Sequence, residues 1–523
     1  MKIYDLLEKT ALSQSKEVAL VFERARISYG SLLTRIQKDA ERLAGLGLGE
    51  DDVIAINLPN CVEAVSLLYA CDYLGAIAYF IHPLTPDEQL LGYLEKAKAK
   101  ALFCLNIDAK RIASKAKSKV IGVNPYSDGN ALMKLLSFLK SGVLGKKALT
   151  RLRRKKANRS DKPDLAPSVY LNSGGTNGEP KVIMLSSSAI ADLSSRGFDI
   201  IPIKDGRMAK MYTVIPLFHG FGLAMGVCTP LNAGGQVVLD LKFHPEKAIR
   251  RMKNGEATVI IGVPALYNAL LNNPGFVGPA AKNLIAAFVG GDSVTGSLLN
   301  RFDKACAISG GHCRLFEGYG LTETVTVTNV NTAFASKPGT VGKPLKGIEE
   351  LIVDPETLKP LEPNQKGEIL ISGPTLMNGY FGDEELTNKT FVEIKGKRYV
   401  RTRDLGSLDE EGYLTFYSRL RRVAKVKGVM VCPADLERVC LEDEAIYECY
   451  CYAKKDEELG EALHLALVKN RASSDSDDTI LERLFAKIEK QLPIYYKPRG
   501  AVFLDKLPRT NVGKVDDAAF KDK

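Results

Sequence analysis

The feature that most limits how this chain can fold is a repeated alternation of helical and strand patterns. Residues 29–48 place apolar side chains at helical spacing, and residues 52–58 follow as a continuous apolar run typical of a buried parallel strand. Residues 60–74 are helical again, and residues 77–81 form the next strand pattern. The strand pattern recurs later in the chain, at residues 211–215, 236–239, 259–263 and 285–289. The alternation predicts an α/β architecture with mainly parallel sheets.

The length of the chain requires more than one domain. With 523 residues, it is too long for a single hydrophobic core. We expect a large domain over residues 1–418 and a smaller domain over residues 419–523. The smaller domain mixes both element types, with helix patterns at 435–441 and 479–491 and strand patterns at 445–453, 463–469 and 501–504. The predicted fold class is therefore α/β, in a multidomain α+β arrangement.

The ten cysteines do not form a metal-binding pattern. No CxxC pair occurs, and the five histidines do not bracket the cysteines at zinc spacing. We expect most of the thiols to be small buried side chains in a reducing compartment. The chain starts without a signal-peptide pattern, and no apolar run approaches the ~18 residues of a membrane span. These features predict a cytoplasmic protein.

Most of the net charge of +10 comes from one segment. Residues 140–162 contain ten bases and one acid, and residues 131–144 place apolar side chains at helical spacing. Two interpretations stay open. An amphipathic basic helix within residues 131–159 can lie peripherally on the anionic inner face of a membrane. Alternatively, residues 126–163 form a solvated surface insertion whose apolar stripe packs on the protein. Nucleic-acid binding is not expected, because no aromatic residues interleave the charges.

A glycine-rich loop lies between two strand patterns, at residues 168–171 and 181–185. Its glycines allow positive φ angles and bring backbone amides close to an anion. The loop is not a Walker loop, because Pro180 stands where that motif requires the start of a helix. Taken alone, the segment indicates either a phosphate-binding loop or a flexible β-hairpin.

Three further motifs follow the loop in a fixed order. Residues 318–324 read Gly-Tyr-Gly-Leu-Thr-Glu-Thr, residues 401–406 contain Asp404, and residues 508–514 end in Lys514. Together the four motifs hold backbone amides for phosphate, a carboxylate for Mg²⁺, a carboxylate for ribose and a lysine for developing negative charge. One motif alone would be weak, but four in order predict ATP-dependent activation of a carboxylate.

These motifs resemble those of the AMP-dependent synthetase and ligase superfamily, and the resemblance covers almost the whole chain. It implies a large N-terminal domain of stacked β-sheets and helices, with a small C-terminal domain that rotates between two half-reactions. The implied first step makes an acyl-adenylate and pyrophosphate from ATP, and the second passes the acyl group to a thiol. Further segments match the family pattern: Leu58-Pro59-Asn60, Gly75-Ala76-Ile77, Pro216-Leu217-Phe218-His219-Gly220, Gly290-Gly291-Asp292, Gly367-Glu368-Ile369, Gly373-Pro374 and Gly379-Tyr380.

The resemblance also implies roles for individual residues. The loop that ends at Lys181 closes on the β- and γ-phosphates of ATP. In the second motif, Tyr319 flanks adenine, Thr322 meets the α-phosphate and Glu323 holds Mg²⁺, an ion that prefers carboxylate and phosphate oxygens. The remaining residues expected to bind the nucleotide or its thiol acceptor are Ser173, Gly174, Gly175, Thr176, Asn177, Gly178, Gly291, Asp292, Gly318, Gly320, Lys427 and Gly428.

Three more roles fall in the C-terminal part of the chain. Asp404 matches the family residue that accepts hydrogen bonds from the ribose hydroxyls, and Arg419 matches an arginine that reaches the nucleotide. Lys514 matches the lysine that bridges the substrate carboxylate and the α-phosphate while the adenylate forms. A cation there stabilises the transition state more than the ground state.

His219 gives the sharpest indication of substrate. Amino-acid-activating members of the superfamily carry aspartate at this position, where it pairs with the substrate ammonium. Here a histidine follows Phe218, as in acyl- and aryl-activating members. An ammonium group would lack its partner in the closed pocket. The sequence therefore favours an unsubstituted carboxylic acid, with a fatty acid first.

Several positions depart from the family pattern without touching Glu323, Asp404, Arg419 or Lys514. The departures are Gly174 and Asn177 in the loop, Val182 after its lysine, and Arg403, Ser418 and Arg421 around the ribose and hinge positions. We expect an acyl-CoA ligase that uses ATP, Mg²⁺ and CoA. The alternatives are a ligase that loads an acyl carrier protein and a non-catalytic relative that binds lipid or nucleotide. Acyl-chain length and oligomeric state are not predicted.

Overall fold

A computed structural model of the chain describes residues 1–126, 154–173, 181–203, 209–471, 473–509 and 515–521. The described residues divide into two compact units. The first comprises Met1–Gly174, Glu179–Glu350 and Ile371–Val400, and the second comprises Leu351–Leu370 and Arg401–Lys523. The domain boundary after residue 418 stays a prediction.

The strands of the described residues are numbered in chain order. They are β1 Val18–Phe22, β2 Ala25–Ser28, β3 Val53–Asn57, β4 Ile77–Phe80, β5 Ala101–Leu105, β6 Lys119–Val123, β7 Pro167–Asn172, β8 Val182–Ser186, β9 Lys210–Thr213, β10 Gln236–Leu239, β11 Val259–Gly262, β12 Ala286–Val289, β13 Leu315–Gly320, β14 Val327–Val330, β15 Lys343–Pro344, β16 Glu349–Val353, β17 Gly367–Ser372, β18 Gly379–Tyr380, β19 Phe391–Ile394, β20 Lys397–Leu408, β21 Leu414–Arg419, β22 Ala424–Val426, β23 Val429–Val431, β24 Ile446–Asp456, β25 Gly460–Lys469 and β26 Gly500–Phe503.

The α-helices of the described residues are numbered in the same way. They are α1 Ile3–Ser13, α2 Tyr29–Gly45, α3 Val62–Leu74, α4 Asp87–Lys96, α5 Asn106–Ala113, α6 Ser187–Arg196, α7 Thr229–Asn232, α8 Pro245–Lys253, α9 Pro264–Leu271, α10 Pro279–Lys282, α11 Gly296–Ile308, α12 Glu384–Thr390, α13 Pro433–Leu441, α14 Asp477–Gln491 and α15 Ala518–Lys521. A π-helix covers Phe221–Cys228, and short 3₁₀ turns cover Pro274–Phe276, Thr322–Thr324, Leu420–Arg422 and Ile494–Tyr496.

The first unit contains a nine-stranded sheet in the order β15-β14-β13-β12-β11-β9-β10-β1-β2. The six strands from β13 to β1 run parallel, and antiparallel strands close both edges. Strand β11 is buried along its whole length, as expected for a parallel strand covered on both faces. One face packs against α8, α9 and α11 through Met252, Leu270 and Phe302.

A second sheet of the same unit has seven strands in the order β18-β8-β7-β4-β3-β5-β6. Its strands from β7 to β6 are parallel, and the β7–β8 hairpin and β18 are antiparallel. Helix α3 is buried along almost its whole length, with residues such as Leu67 and Tyr69 fully buried. The mainly parallel α/β fold predicted from the sequence is confirmed.

The second unit ends in a smaller sheet with the order β23-β22-β25-β24, in which β26 also pairs with β25. Alternate residues of β25 face opposite sides. Leu465 and Leu467 pack against α13 and α14, whereas Ala466 and Val468 pack beneath the chain end that contains Phe520. The last described residues are therefore built into the core of this unit.

The basic segment is described only from residue 154 onward, and the predicted helix at 131–144 lies outside the described residues. Arg154 pairs with Glu41 at 3.6 Å, Arg159 pairs with Asp5, and the Lys162 ammonium lies 2.6 Å from a carboxylate oxygen of Asp51. These three bases pack on the first unit and have acidic partners. For residues 154–162 the structure therefore supports a surface insertion.

Within the described part of the chain, no helix is both long enough and apolar enough to cross a membrane. All ten cysteines are unpaired thiols, and nine of them are buried. Burial raises the pKa of the thiols of Cys104 and Cys228 to about 12. The prediction that most thiols are small buried side chains is confirmed.

Candidate active site

The carboxyl ends of parallel strands from both sheets of the first unit meet at one place. Asn60, which follows β3, donates a hydrogen bond from Nδ2 to the carbonyl of Ile215 at 3.0 Å. Its Oδ1 accepts the N–H of Leu217 at 3.1 Å. Asn60 is buried, so both bonds are shielded from water. The loops that follow strand ends of a parallel sheet are the usual location of ligand sites.

Three aromatic rings extend this meeting point. The ring centroid of Phe218 lies 4.5 Å from that of His82, which follows β4, and 4.8 Å from that of His219. His82 Nδ1 accepts the N–H of Leu84 at 2.9 Å, so its proton is on Nε2 when the ring is neutral. Burial lowers the pKa of His82, which favours that neutral form. His82 was not identified from the sequence, because a single histidine after a strand carries no motif.

The second motif forms the end of β13 and a tight 3₁₀ turn at Thr322–Thr324. A side chain at Gly320 is excluded, since a Cβ there would lie 1.6 Å from the carbonyl oxygen of Thr326. The carbonyl of Glu323 accepts the N–H of Met377 at 2.8 Å. Its carboxylate Oε1 accepts a hydrogen bond from the hydroxyl of Tyr380 at 2.8 Å. Both ends of Glu323 are therefore fixed.

Tyr380 also connects Glu323 to the glycine-rich loop. The ammonium of Lys181 lies 5.2 Å from the centroid of the Tyr380 ring, within the range of a cation–π contact. Ser173 and Lys181 close the base of the loop, because Ser173 N–H donates to the Lys181 carbonyl at 2.8 Å and Ser173 Oγ accepts the Lys181 N–H at 3.1 Å. The structure thus brings together Ser173, Lys181 and Glu323. The predicted residues Gly174, Gly175, Thr176, Asn177 and Gly178 lie outside the described residues.

A third loop of the site follows β12. Gly290 comes so close to β13 that a Cβ at this position would lie 2.9 Å from the carbonyl oxygen of Gly318. Gly291 has a φ of +82°, and the next residue, Asp292, is exposed. Gly291 and Asp292 therefore lie beside the strand that carries Gly318 and Tyr319, and their predicted role in binding the nucleotide stays a prediction.

Two carboxyl groups at or near this strand were not identified from the sequence: Glu317, which is half-buried, and Glu350, which is buried. Burial raises the pKa of Glu317, directly before Gly318, to about 8. Burial also raises the pKa of Glu350 to about 7, although Asn329 donates a hydrogen bond to its Oε2 at 3.0 Å. Both groups are therefore largely protonated when the solution is slightly acidic. Neither lies in a motif, and burial of a single glutamate follows from packing rather than from sequence spacing.

The described residues contain no group of three or more His, Cys, Asp or Glu side chains that could hold a metal ion. A single carboxylate suits Mg²⁺ when phosphate oxygens and water complete the octahedron. Glu323 fits this requirement, since within the described residues its Oε2 accepts no hydrogen bond and only Oε1 is used by Tyr380.

The ribose motif lies in the second unit. Asp404, which is 2% exposed, pairs with Arg419 across the β20–β21 hairpin, where Nε lies 3.0 Å from Oδ1. Its neighbour Arg403 has a φ of +60°, in the left-handed region that favours glycine. The N–H of Arg403 donates to the buried carboxylate of Glu368 at 3.2 Å, which holds this backbone in place. The structure therefore brings together two of the predicted nucleotide-binding residues of this unit.

Two other predicted positions of this unit form a tight turn. Lys427 and Gly428 have φ angles of +49° and +78° and connect β22 to β23 as a two-residue hairpin loop. Lys514 and the residues before it, 510–513, lie outside the described residues. The chain on either side is held by a β-bridge between Arg509 and Val515 and by a hydrogen bond from Asp516 N–H to the Pro508 carbonyl at 2.9 Å.

The sequence profile of the AMP-binding enzyme family matches residues 7–381, which is well over half of the chain. The chain belongs to this family. A second profile, that of the AMP-binding enzyme C-terminal domain, matches residues 435–514. The first profile contains the glycine-rich loop and the Glu323 turn, and the second contains the motif that ends at Lys514, whereas Asp404 lies between the two matched ranges. The predicted membership of the adenylate-forming superfamily is confirmed.

Two similar proteins are CoA ligases by name. The chain is 26% identical to a long-chain-fatty-acid–CoA ligase of Bacillus subtilis, over 98% of this chain and 93% of that protein. It is 27% identical to 4-coumarate–CoA ligase 1 of Solanum tuberosum, over 93% and 87% of the two chains. Among solved structures, ATP-bound MatB of Rhodopseudomonas palustris shares the fold with a TM-score of 0.84 at 24% identity, covering 100% and 99% of the two chains.

Proposed function

We propose that this AMP-binding enzyme activates a carboxylic acid with ATP and transfers the acyl group to the thiol of CoA. A carboxylate oxygen of the acid attacks the α-phosphorus of ATP, and the bond to pyrophosphate breaks. The thiol then attacks the acyl carbon of the adenylate, and AMP leaves. The observation that carries the proposal is the arrangement in the first unit, where Lys181 and Glu323 converge on one tyrosine at the base of the glycine-rich loop.

Each residue of the proposed site contacts a different part of ATP, according to its charge. Lys181 binds the terminal phosphates, Thr322 contacts the α-phosphate, and Asp404 accepts hydrogen bonds from the ribose. Glu323 would hold Mg²⁺, which neutralises charge on the departing pyrophosphate. Lys514 stabilises the negative charge that develops as the carboxylate attacks. Tyr319 and the loop with Gly291 and Asp292 enclose the adenine.

A fatty acid is the first candidate substrate. His219 offers no carboxylate for a substrate ammonium, which disfavours free amino acids. The similarity to a long-chain-fatty-acid–CoA ligase supports this choice. An aromatic acid is the second candidate, because the rings of His82, Phe218 and His219 form an aromatic cluster at the strand ends, and several similar proteins are 4-coumarate–CoA ligases. A ring of the substrate can stack on such a cluster.

One experiment separates these substrates. The purified protein is incubated with ATP, Mg²⁺ and CoA, and AMP release is measured. One panel of substrates consists of straight-chain acids of graded length, and a matched panel consists of benzoic and cinnamic acids. We expect turnover with aliphatic acids and a maximum at one chain length. A preference for the aromatic panel would replace the fatty-acid assignment.

The acceptor is tested in the same assay. CoA and a phosphopantetheinylated acyl carrier protein are supplied separately with labelled acid, and label in each thioester is counted. We expect transfer to CoA, and transfer to the carrier protein alone would overturn this assignment. Acid-dependent pyrophosphate exchange excludes a non-catalytic relative, whereas its absence with every acid would contradict the proposed function.

We propose a cytoplasmic location, with membrane contact confined to the part of the basic segment before residue 154. The bases at 154, 159 and 162 already have acidic partners on the protein, so they contribute little to binding a bilayer. The test is cosedimentation with anionic and neutral liposomes. If removal of residues 130–153 leaves binding to anionic liposomes unchanged, the proposal that this segment contacts a membrane is wrong.

A further inference from the structure

Tyr380 lies at a junction that the nucleotide-binding motifs do not include. Its hydroxyl donates to Oε1 of Glu323, its ring faces the ammonium of Lys181, and its backbone belongs to β18 at the edge of the seven-stranded sheet. We propose that Tyr380 is a positioning residue that orients the Glu323 carboxylate toward a divalent ion bound with ATP. This inference rests on the proposed function and names a residue that acts through Glu323.

The backbone of Tyr380 has little freedom to move. Strand β18 pairs with β8 in antiparallel register, with Gly379 opposite Met184 and Tyr380 opposite Ile183. The flanking residues continue the pairing, since Phe381 N–H donates to the Val182 carbonyl at 2.8 Å. Because β8 begins directly after Lys181, the same strand pair fixes both Tyr380 and the end of the glycine-rich loop.

A short helix fixes Tyr380 from the other side. The N–H of Tyr380 donates to Oγ1 of Thr387 in α12 at 2.9 Å. Gly379 has a φ of +145°, and a Cβ at this position would lie 2.8 Å from Cγ2 of Thr387. Only glycine allows this close approach of α12 to the strand. The ring is thus held at a fixed distance from the Glu323 turn.

The hydroxyl has a defined direction. An ionised carboxylate can only accept, so the single proton of the Tyr380 hydroxyl is directed at Oε1 of Glu323. The bond occupies Oε1 of Glu323 and leaves Oε2 for the ion.

The same four-residue segment holds Glu323 at both of its ends. Met377 binds the backbone carbonyl of Glu323 and Tyr380 binds its carboxylate, each at 2.8 Å. A carboxylate fixed in this way does not have to lose rotational freedom when the ion arrives. Removing the hydroxyl should therefore weaken binding of the ion and leave binding of the metal-free nucleotide unchanged.

The test uses Tyr380→Phe, which keeps the ring beside Lys181 and removes only the hydroxyl. The full chain is titrated with Mn²⁺ in the presence of α,β-methylene-ATP, and free Mn²⁺ is followed by electron paramagnetic resonance. We expect the Kd of Mn²⁺ in this complex to rise about tenfold, the scale of one hydrogen bond to a charged group. Binding of the same nucleotide in EDTA, measured by calorimetry, should be unchanged.

Tyr399→Phe is the matched control. Tyr399 also donates from its hydroxyl to a glutamate, Glu349, in the first unit, but neither residue belongs to the nucleotide motifs. We expect this variant to bind Mn²⁺ like the wild type. An equal rise in Kd for Tyr399→Phe would indicate a general structural effect and overturn the inference.

A double-mutant cycle makes the inference specific. In a Glu323→Gln background, Tyr380→Phe should cause no further rise in the Kd of Mn²⁺, because the carboxylate it orients is gone. Additive losses, or a Kd unchanged by Tyr380→Phe alone, would contradict the inference. The two proposals fail in different experiments. The proposed function is tested by acid-dependent pyrophosphate exchange of the wild type, whereas the role of Tyr380 is tested by the Mn²⁺ titration alone.

Discussion

Arg403 shows how a residue in an unfavourable backbone conformation can be tolerated beside Asp404, for which we propose a role in ribose binding. Its φ of +60° costs about 1 kcal/mol for a side chain larger than glycine. Glu368, fully buried, offsets this cost by accepting the N–H of Arg403 and pairing with the guanidinium of Arg401. The departure from the family's glycine therefore leaves the following residue, Asp404, correctly placed opposite Arg419.

Asp404→Asn tests the ribose role at the scale of one residue. Asparagine keeps the shape but loses the charge that strengthens hydrogen bonds from ribose hydroxyls. We expect KM for ATP in pyrophosphate exchange to rise about tenfold. The wild type should prefer ATP over 2′-deoxy-ATP, and the variant should lose most of this preference. Glu410→Gln, an exposed change in the same unit, is the control, and an unchanged preference in Asp404→Asn would exclude the role.

Glu317→Gln should make stability less dependent on pH. The pKa of Glu317 in the folded protein is about 8, above its ordinary value of 4.5. The folded state therefore holds the proton over this interval, and this group lowers the free energy of unfolding as pH rises from 4.5 to 8. Glutamine does not titrate, so the variant does not lose stability in this way. Its free energy of unfolding, relative to that of the wild type, should increase by about 3–5 kcal/mol as the pH rises from 4.5 to 8.5. Denaturant unfolding followed by circular dichroism at several pH values checks this, and a pH-independent difference would contradict it.

At the scale of elements, the chain end is tied to the smaller sheet through one polar cluster. Arg422 lies over the ring of Tyr450 at 4.5 Å and pairs with Glu437 of α13. The hydroxyl of Tyr450 donates to Asp517, just after the Lys514 motif, and Arg421 lies 3.6 Å from the same carboxylate. The residues that follow Arg419 and those that follow Lys514 are therefore held on the same face of the sheet.

Arg422→Met should destabilise this unit in a pH-dependent way. Burial raises the pKa of Glu437, and Arg422 opposes that rise, so removing the guanidinium leaves a buried carboxylate with the N–H of Cys451 but without a cationic partner. We expect a loss of about 3 kcal/mol at pH 8. At pH 5 the loss should be smaller, because burial raises the pKa of Glu437 and a larger share of the carboxyl is then protonated in the variant.

Arg438→Met provides the comparison on the same helix. Arg438 is 61% exposed and pairs with Glu442 one turn away at 3.1 Å. Such exposed pairs contribute less than about 0.5 kcal/mol. Thermal unfolding followed by circular dichroism measures the loss of stability in each variant at pH 5 and pH 8. Equal losses for Arg422→Met and Arg438→Met would show that burial of the pair does not control stability.

At the scale of the molecule, the alternation of apolar runs was sufficient to predict the α/β fold. Strands such as β3 and β11 consist mainly of consecutive apolar residues, and their burial follows directly from that pattern. The ends of the glycine-rich loop were predicted for the same reason. Contacts between distant segments were not predictable. Tyr380 meets Glu323 across 57 positions of sequence, and Arg159 meets Asp5 across 154.

The whole reaction is tested by separating its two steps. Lys514→Ala should lower acid-dependent pyrophosphate exchange by about 10²–10³, the effect of losing one cation that stabilises developing charge. Transfer from a supplied acyl-adenylate to CoA should be nearly unchanged, since the proposed role of Lys514 is confined to formation of the adenylate. Quenched-flow measurement of each half-reaction checks this. An equal loss in both steps would contradict the assigned role.

The burial of the cysteines has a practical consequence for labelling this protein with fluorophores. Nine of the ten thiols are buried, and the tenth, Cys449, is only partly accessible, with its pKa raised by the neighbouring Cys440 and by burial. Native thiols should therefore react slowly with maleimides, which attack the thiolate. A cysteine introduced at an exposed position of each unit should therefore be labelled by a fluorophore much faster than the native thiols. Because the chain has no tryptophan, indole emission would not overlap with the signal of the fluorophore.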